Sequence, residues 1–225
     1  MERSKKRAVL FVVFVIIYIC FHVLFAKGLG KALGIPKLGR AYVQLASYAC
    51  LGIWGICLFF EDLKKGFSQW GKGFLKSILW LIGGFAADYV LMILFSIPLY
   101  LLRPEYEMIN ENNVSGLIGV VPGLLILVIC GALGPITEET VFRFVPMLGL
   151  KDKLPAALGI ALSGLLFGMV HMHAFTIWEF LAVLPHVATG LVYAFVLRGS
   201  RNATIPILLH LLNNVPAILG MLLAN

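Results

Sequence analysis

Two adjacent glutamates and an arginine follow an uncharged apolar stretch of the chain. The segment GPITEETVFR, residues 134–143, comes directly after GLLILVICGAL. Neighbouring residues of a helix point about 100° apart, whereas residues four apart share a face. We therefore expect Glu139 to pair with Arg143, and Glu138 to lack a fixed counter-ion. A buried carboxylate of that kind suits a general base, but these residues alone fit a purely structural Glu–Arg clamp equally well.

Two histidines and an asparagine on later apolar segments supply complementary groups. FGMVH ends at His171, and HLLNN places His210 and Asn214 four residues apart on one helical face. A lone histidine inside a membrane is more often a hydrogen-bonded core residue than a catalyst. With Glu138, however, three segments supply one carboxylate, two imidazoles and one amide, and this combination favours a catalytic cluster.

The spacing of the segments predicts where these groups meet. Residues 115–147 and 156–175 could form an antiparallel hairpin. If its turn is centred near residues 154–155, Glu138 and His171 lie at the same height along the two helices. The segment KDKLP, which ends in a helix-stopping proline, lies at that midpoint. We therefore expect a carboxylate and an imidazole to meet inside the membrane.

The composition identifies the surroundings of this cluster. Of the 225 residues, 60% are hydrophobic and 13% are charged, and the mean hydropathy is +0.96. Soluble domains carry about 25% charged residues, so this chain is predicted to be a membrane protein. The net charge of +7 is then explained by basic cytoplasmic loops, and we expect no nucleic-acid partner. The four cysteines lie in apolar runs and are interpreted as small buried hydrophobes.

Seven apolar stretches approach the roughly 20 residues that cross a bilayer as a helix. They span residues 8–27, 42–60, 75–102, 115–147, 156–175, 178–197 and 203–223. We predict one all-α domain over residues 1–225, a polytopic transmembrane helical bundle with a polar intramembrane cavity and a catalytic core at about 115–220. The basic start MERSKKR places the N-terminus in the cytoplasm. The basic 28–41 loop disagrees with seven crossings, so an eighth crossing or a helix broken at Gly134-Pro135 stays open.

The three motifs resemble those of a known family. EETVFR, FGMVH and HLLNN match, in order, the E-E-x-x-x-R, F-x-x-x-H and H-x-x-x-N/D motifs of the CAAX protease and bacteriocin-processing family, also called the Abi family. The first three apolar spans carry no motif of this family. The resemblance implies an intramembrane endopeptidase that cleaves a membrane-associated hydrophobic substrate, such as a CAAX-type protein, a bacteriocin or a signal-peptide precursor. A compact chain with short loops suits a bacterial cell membrane.

The resemblance implies a role for each of four catalytic positions. Glu138 would activate the attacking water with help from His171. His210 and Asn214 would donate hydrogen bonds to the oxyanion of the tetrahedral intermediate. The nucleophile is water, so no covalent intermediate is expected.

Three further motif positions are implied to support the site. Glu139 and Arg143 would hold the helix and orient Glu138. Phe167, one turn before His171, would pack to fix its own helix.

A divalent metal such as zinc is the alternative to a metal-free reaction. Glu138, His171 and His210 could supply a carboxylate and two histidines with an open position for water. The chain has no H-E-x-x-H motif, however, and Asn214 suits an oxyanion donor better than a zinc ligand. We favour a glutamate-dependent reaction without an obligatory metal; both versions use the same residues.

The expected partners are the lipid bilayer and a hydrophobic or lipid-modified peptide or protein substrate. Two functions of other classes stay open. One is a non-catalytic membrane scaffold or bacteriocin-immunity protein of the same fold. The other is a small transporter with Asp88, Glu138 and the histidines as a proton relay, although no inverted repeat is found.

Other polar residues of the apolar spans are given structural interpretations. Asp88 and His186 are expected to make hydrogen bonds between helices. His22 and Glu179, near span ends, are expected at the membrane interface. Asn213 is one position off the face shared by His210 and Asn214, so Asn214 is preferred for the site.

Overall fold

Proline and glycine residues mark where several helices begin. The computed structural model describes residues 2–109, 115–149 and 155–224. Four helices start directly after Pro36, Gly73, Pro122 and Pro155. Proline suits this place because its fixed φ and missing N–H are tolerated where a helix starts but not in its interior.

The described residues form helices that we name α1 to α8 in chain order. They are α1 (Glu2–Tyr18, continued by π-helical Ile19–Leu29 and by Gly30–Ala32), α2 (Lys37–Leu58), α3 (Phe60–Lys72), α4 (Phe74–Leu102), α5 (Gly123–Leu148), α6 (Ala156–His171), α7 (Ile177–Ser200) and α8 (Thr204–Leu223). Helix α5 has wider, π-helical turns on both sides of Gly134–Glu139.

Among the described residues five helices, α2, α4, α5, α7 and α8, are long and apolar enough to cross a membrane. The shorter apolar helices Ala8–His22 and Ala156–His171 coincide with the two other predicted spans. The predicted all-α polytopic membrane bundle is therefore confirmed. Helix α5 runs through Gly134-Pro135 without a break, and the π-helical turn Ile129–Leu133 lies directly before this dipeptide.

Some predicted boundaries are wrong. The predicted spans 42–60 and 75–102 leave a connecting loop at residues 61–74, but α3 there is an amphipathic helix that buries Leu63 and Gly66. Glu61 and Asp62 in its first turn and Lys72 in its last turn suit the helix dipole. The hairpin turn was expected near residues 154–155. Residues 150–154, which include the basic Lys151 and Lys153, lie outside the described residues.

Glycines bring the helices around the motifs into close contact. A Cβ atom at Gly190 of α7 would lie 2.7 Å from the Cα of Gly164 in α6, so these backbones touch. A Cβ at Gly52 of α2 would lie 2.8 Å from the carbonyl oxygen of Leu133 in α5. Close approach through small residues is the usual way to pack helices in lipid, where the hydrophobic effect does not drive their association. The contacts fix α2 and α7 against the two helices that carry the first motifs.

Glu179, near the start of α7, is fully buried inside the protein. Its carboxylate accepts hydrogen bonds from the Tyr106 hydroxyl, at 2.8 Å, and from the backbone N–H of His173, at 3.1 Å. It thereby joins the segment after α4 to the segment after α6. Burial and this carboxylate raise the pKa of Tyr106.

Candidate active site

Glu139 and Arg143 form a buried ion pair within α5. Arg143 Nη1 lies 3.4 Å from Glu139 Oε1, and neither side chain is exposed. This is the pair that the four-residue spacing predicts. The Arg143 guanidinium also lies 4.0 Å from the ring centroid of Phe167 and 5.3 Å from that of Tyr193. Two aromatic faces thus replace part of the hydration that the buried cation loses.

Glu138 has more partners than expected for an acid without a fixed counter-ion. Its side chain is buried, and its Oε1 accepts a hydrogen bond of 3.0 Å from the hydroxyl of Tyr48. Its Oε2 lies 3.6 Å from Nε2 of His210, just beyond hydrogen-bond distance. The carboxylate is therefore held at one oxygen and faces an imidazole with the other.

His210 lies between the two consecutive glutamates. Its Nδ1 is 2.8 Å from Oε1 of Glu139, while its Nε2 faces Glu138. An ionised carboxylate only accepts hydrogen bonds, so Nδ1 must donate to an ionised Glu139. Nε2 then accepts in the neutral ring and donates when the ring carries both hydrogens. The orientation of His210 is fixed by Glu139, which is itself held by Arg143.

His171 does not meet Glu138 directly, contrary to the expectation. It ends α6, and its Nδ1 lies 2.7 Å from the carbonyl oxygen of Phe167. Its ring centroid is 4.2 Å from that of His186. In the described ranges no hydrogen bond or ion pair joins His171 to Glu138. Sequence spacing predicts height along a hairpin, but it does not predict helix rotation or the rotamer of a ring.

Phe167 connects the two histidine environments. The side chain is buried, and its ring centroid lies 4.8 Å from that of His171 and 5.6 Å from that of His210. It also packs on Phe142 of α5, at 5.6 Å. Phe167, on α6, therefore packs against side chains of both α5 and α8.

The two asparagines of HLLNN have different surroundings. Asn213 Nδ2 donates to Oδ2 of Asp88 at 2.7 Å, and the same oxygen accepts from the Tyr193 hydroxyl at 3.0 Å. The expected interhelical hydrogen bond of Asp88 is thereby confirmed. Asn214, half-buried one turn after His210, has no side-chain hydrogen bond to any part of the chain that the structure describes. Its amide donors are free for another molecule.

The candidate zinc ligands do not form a three-ligand cluster among the described residues. Among them, no three His, Cys, Asp or Glu side chains are grouped so that they could share one ion. Glu138 and His210 of the candidate set face each other, whereas His171 contacts the carbonyl oxygen of Phe167 through Nδ1, which leaves its Nε2 available.

Sequence reasoning missed Tyr48 and His22. The His22 ring is buried, with its centroid 3.8 Å from that of Tyr48, and its Nε2 lies 2.8 Å from Oγ of Ser47. One signal was available for Tyr48: it lies inside an apolar span, whereas tyrosine prefers the membrane interface.

Comparison with known proteins agrees with the motifs. Residues 120–216 match the family model described as type II CAAX prenyl endopeptidase Rce1-like. The match agrees with the resemblance of the three motifs to the CAAX protease and bacteriocin-processing family. All seven motif positions, from Glu138 to Asn214, lie within the Rce1-like segment, and Tyr48, His22 and Asp88 lie outside it.

A curated relative extends the similarity beyond this segment. Over 147 residues the chain is 29% identical to the protein named "Putative membrane peptidase YdiL" from Bacillus subtilis (strain 168). The match covers 65% of this chain and 57% of the relative, so it spans little more than half of that protein. No solved structure matches the chain.

Proposed function

We propose that this protein is an intramembrane endopeptidase that hydrolyses a peptide bond in a hydrophobic, membrane-associated substrate. The observation that carries the proposal is the placement of Glu138: a buried carboxylate within a membrane-spanning helix, opposite the Nε2 of a histidine that Glu139 orients. Charged groups at such depth are unfavourable by about 2.5–3.5 kcal/mol each on insertion scales, so they usually serve a function. The Rce1-like segment supports protease chemistry.

In the proposed reaction Glu138 is the general base. The oxygen of a water molecule bonds to the scissile carbonyl carbon while one water proton passes to Glu138, and the π electron pair moves to the carbonyl oxygen. His210 and Asn214 donate hydrogen bonds to this oxyanion. When the C–N bond breaks, the proton passes to the leaving amine nitrogen.

The surroundings of His210, Asn214 and His171 support their roles. Donation from Nε2 of His210 requires hydrogens on both ring nitrogens, and Glu139 is the counter-ion for that form. The Asn214 amide has no competing partner among the described residues. For His171, the bond from Nδ1 to Phe167 leaves Nε2 as the nitrogen that assists the water.

The proposed substrates are CAAX-type proteins, bacteriocins or signal-peptide precursors that reach the site through the lipid. The proposed location is a bacterial cell membrane with the N-terminus in the cytoplasm. One observation favours a second function, that of a non-catalytic scaffold or bacteriocin-immunity protein. His171 and Glu138, the two groups proposed to activate water, are not joined.

Glu138→Gln decides between the two functions. The full chain in lipid nanodiscs would be incubated with prenylated CAAX peptides and with unprenylated hydrophobic peptides in ¹⁸O-labelled water. We expect cleavage with one ¹⁸O atom in the new carboxyl group, and at least a 100-fold loss of kcat in Glu138→Gln, because removal of the base removes its catalysis of about 10²–10⁴-fold. Glu61→Gln, which changes an exposed acid in α3, is the matched control and keeps full activity.

Chelation tests the metal question in the same assay. We expect cleavage to persist after treatment with 1,10-phenanthroline, since the proposed reaction uses no metal. Loss of activity that zinc restores would replace the metal-free reaction with a metal-dependent one. Peptide binding without cleavage, unchanged in Glu138→Gln, would establish the scaffold function instead.

A further inference from the structure

Tyr48 lies against the acid of the proposed site although it belongs to no motif and lies outside the Rce1-like segment. Its hydroxyl donates to Glu138 Oε1 at 3.0 Å, the only hydrogen bond to this carboxylate from the described ranges of the chain. We propose that Tyr48 is a positioning residue for Glu138. It holds Oε1, so that Oε2 is the oxygen that faces His210 and receives the proton of the attacking water. This inference rests on the proposed function.

The packing of α2 against α5 places Tyr48 at this point. A Cβ at Gly52 would meet the carbonyl oxygen of Leu133 at 2.8 Å, and a Cβ at Gly55 would meet Oγ1 of Thr140 at 2.6 Å. The Tyr48 ring itself lies 3.7 Å from the position of a Cβ at Gly134. A side chain at Gly52 or Gly55 would move α2 away from α5, and the phenol would no longer reach Glu138.

The neighbours of Tyr48 restrict its movement. On one side the ring of His22 lies 3.8 Å away between centroids, and His22 is in turn bound to Ser47, at 2.8 Å. On the other side Oγ1 of Thr137, next to Glu138 in the chain, lies 3.3 Å from the carbonyl oxygen of Tyr48 and 2.9 Å from that of Leu133, and its single hydrogen is shared between them. Both the backbone and the ring of Tyr48 are therefore fixed before any substrate binds.

The chemistry of a phenol suits this role. Its single O–H donates to a carboxylate, and a hydrogen bond to an ionised group is about twice as strong as one between neutral groups. Tyr48 keeps its own proton throughout the reaction. The water proton passes to Oε2 of Glu138, because Oε1 already accepts from Tyr48, and it leaves Oε2 for the amine nitrogen. His210, on the side of Oε2, then faces the same place as the reacting water.

Tyr48→Phe tests the inference because it removes the hydroxyl and keeps the ring that packs on His22. We expect kcat to fall about 10- to 100-fold, the equivalent of one hydrogen bond to a charged group. KM should change less than about twofold, since the hydroxyl contacts the base and not the substrate. The matched control is Tyr106→Phe, which removes another hydrogen bond from a tyrosine to a buried glutamate, at 2.8 Å to Glu179.

A double-mutant cycle on thermal unfolding measures the bond itself. Tyr48→Phe, Glu138→Gln and the double variant should show a coupling between the two residues, whether or not the variants are active. The inference is overturned by full kcat in Tyr48→Phe, by equal losses of kcat in Tyr48→Phe and Tyr106→Phe, or by no coupling in the cycle. The proposed function is overturned by different results: the unmodified protein cleaves none of the peptides, or the Glu138→Gln variant cleaves them as fast as the unmodified protein.

Discussion

His210 illustrates how the site works at the scale of single residues. One ring nitrogen is bound by Glu139 and the other faces Glu138, so the two adjacent glutamates have different roles although they share a helix turn. Glu139 is neutralised by Arg143, which lies on the ring of Phe167. The ion pair therefore orients a histidine as well as balancing a charge.

Breaking this ion pair should destabilise the protein strongly. Glu139→Gln leaves the Arg143 cation buried without its carboxylate, which typically lowers the free energy of unfolding by about 3–5 kcal/mol. Glu105→Gln is the matched control, because Glu105 pairs with Arg103 at an exposed site, where ion pairs contribute about 1 kcal/mol or less. Unfolding of both variants in detergent would be followed by circular dichroism. Equal stability of the two variants would show that Arg143 does not depend on Glu139.

At the scale of elements, glycine contacts determine which faces of the helices meet. Helices α6 and α7 touch through Gly164 and Gly190, and Phe167 and His171 follow on α6. Because these backbones are in contact, the rotation of α6 has little freedom. The position of Phe167 thus depends on Gly164 and Gly190, which carry no functional group.

Gly190→Ala should separate α6 from α7. The new Cβ would lie 2.7 Å from a backbone atom of Gly164, which cannot move aside as a side chain does. Overpacking of this kind typically costs about 1–3 kcal/mol, and the displacement should also lower kcat. Gly83→Ala in α4 is the matched control, since its Cβ meets nothing within 4 Å and alanine is the better helix former. A Gly190→Ala protein as stable and active as Gly83→Ala would disprove the close contact.

At the scale of the whole molecule, the apolar surface faces lipid while the charged groups converge inside. The bundle is an integral multi-pass membrane protein with Glu138, Glu139, Arg143 and His210 in its interior. Asp88, also fully buried, joins α4 to α7 and α8 through Tyr193 and Asn213. Polar contacts thus link helices that have apolar outer surfaces.

The predicted orientation can be tested in intact cells. With the N-terminus in the cytoplasm and seven crossings, α3 lies inside and the segment after α4 lies outside. In a cysteine-free background, a membrane-impermeant maleimide should label Glu105→Cys but not Ser68→Cys, both of which replace exposed residues. The reverse labelling pattern would show that the topology is inverted, with the N-terminus outside the cell.

The sequence alone determined the features that depend on local spacing and composition. Apolar runs long enough to cross a bilayer gave the membrane class and the helices, and the i,i+4 spacing gave the Glu139–Arg143 pair. The ordered motifs gave the resemblance that the family match over residues 120–216 supports. These features follow from the periodicity of a helix and from the low polarity of lipid, and neither requires knowledge of distant contacts.

Only the tertiary structure decided which groups meet across helices. In the folded chain Tyr48 donates a hydrogen bond to Glu138, and the ring of His22 packs on that of Tyr48. His171 contacts Phe167 and His186. The physical reason is that close contacts at glycines set the rotation of each helix about its axis, and such contacts join residues far apart in the chain. Helical periodicity gives the face of a residue relative to its neighbours, but only packing gives the partner opposite that face.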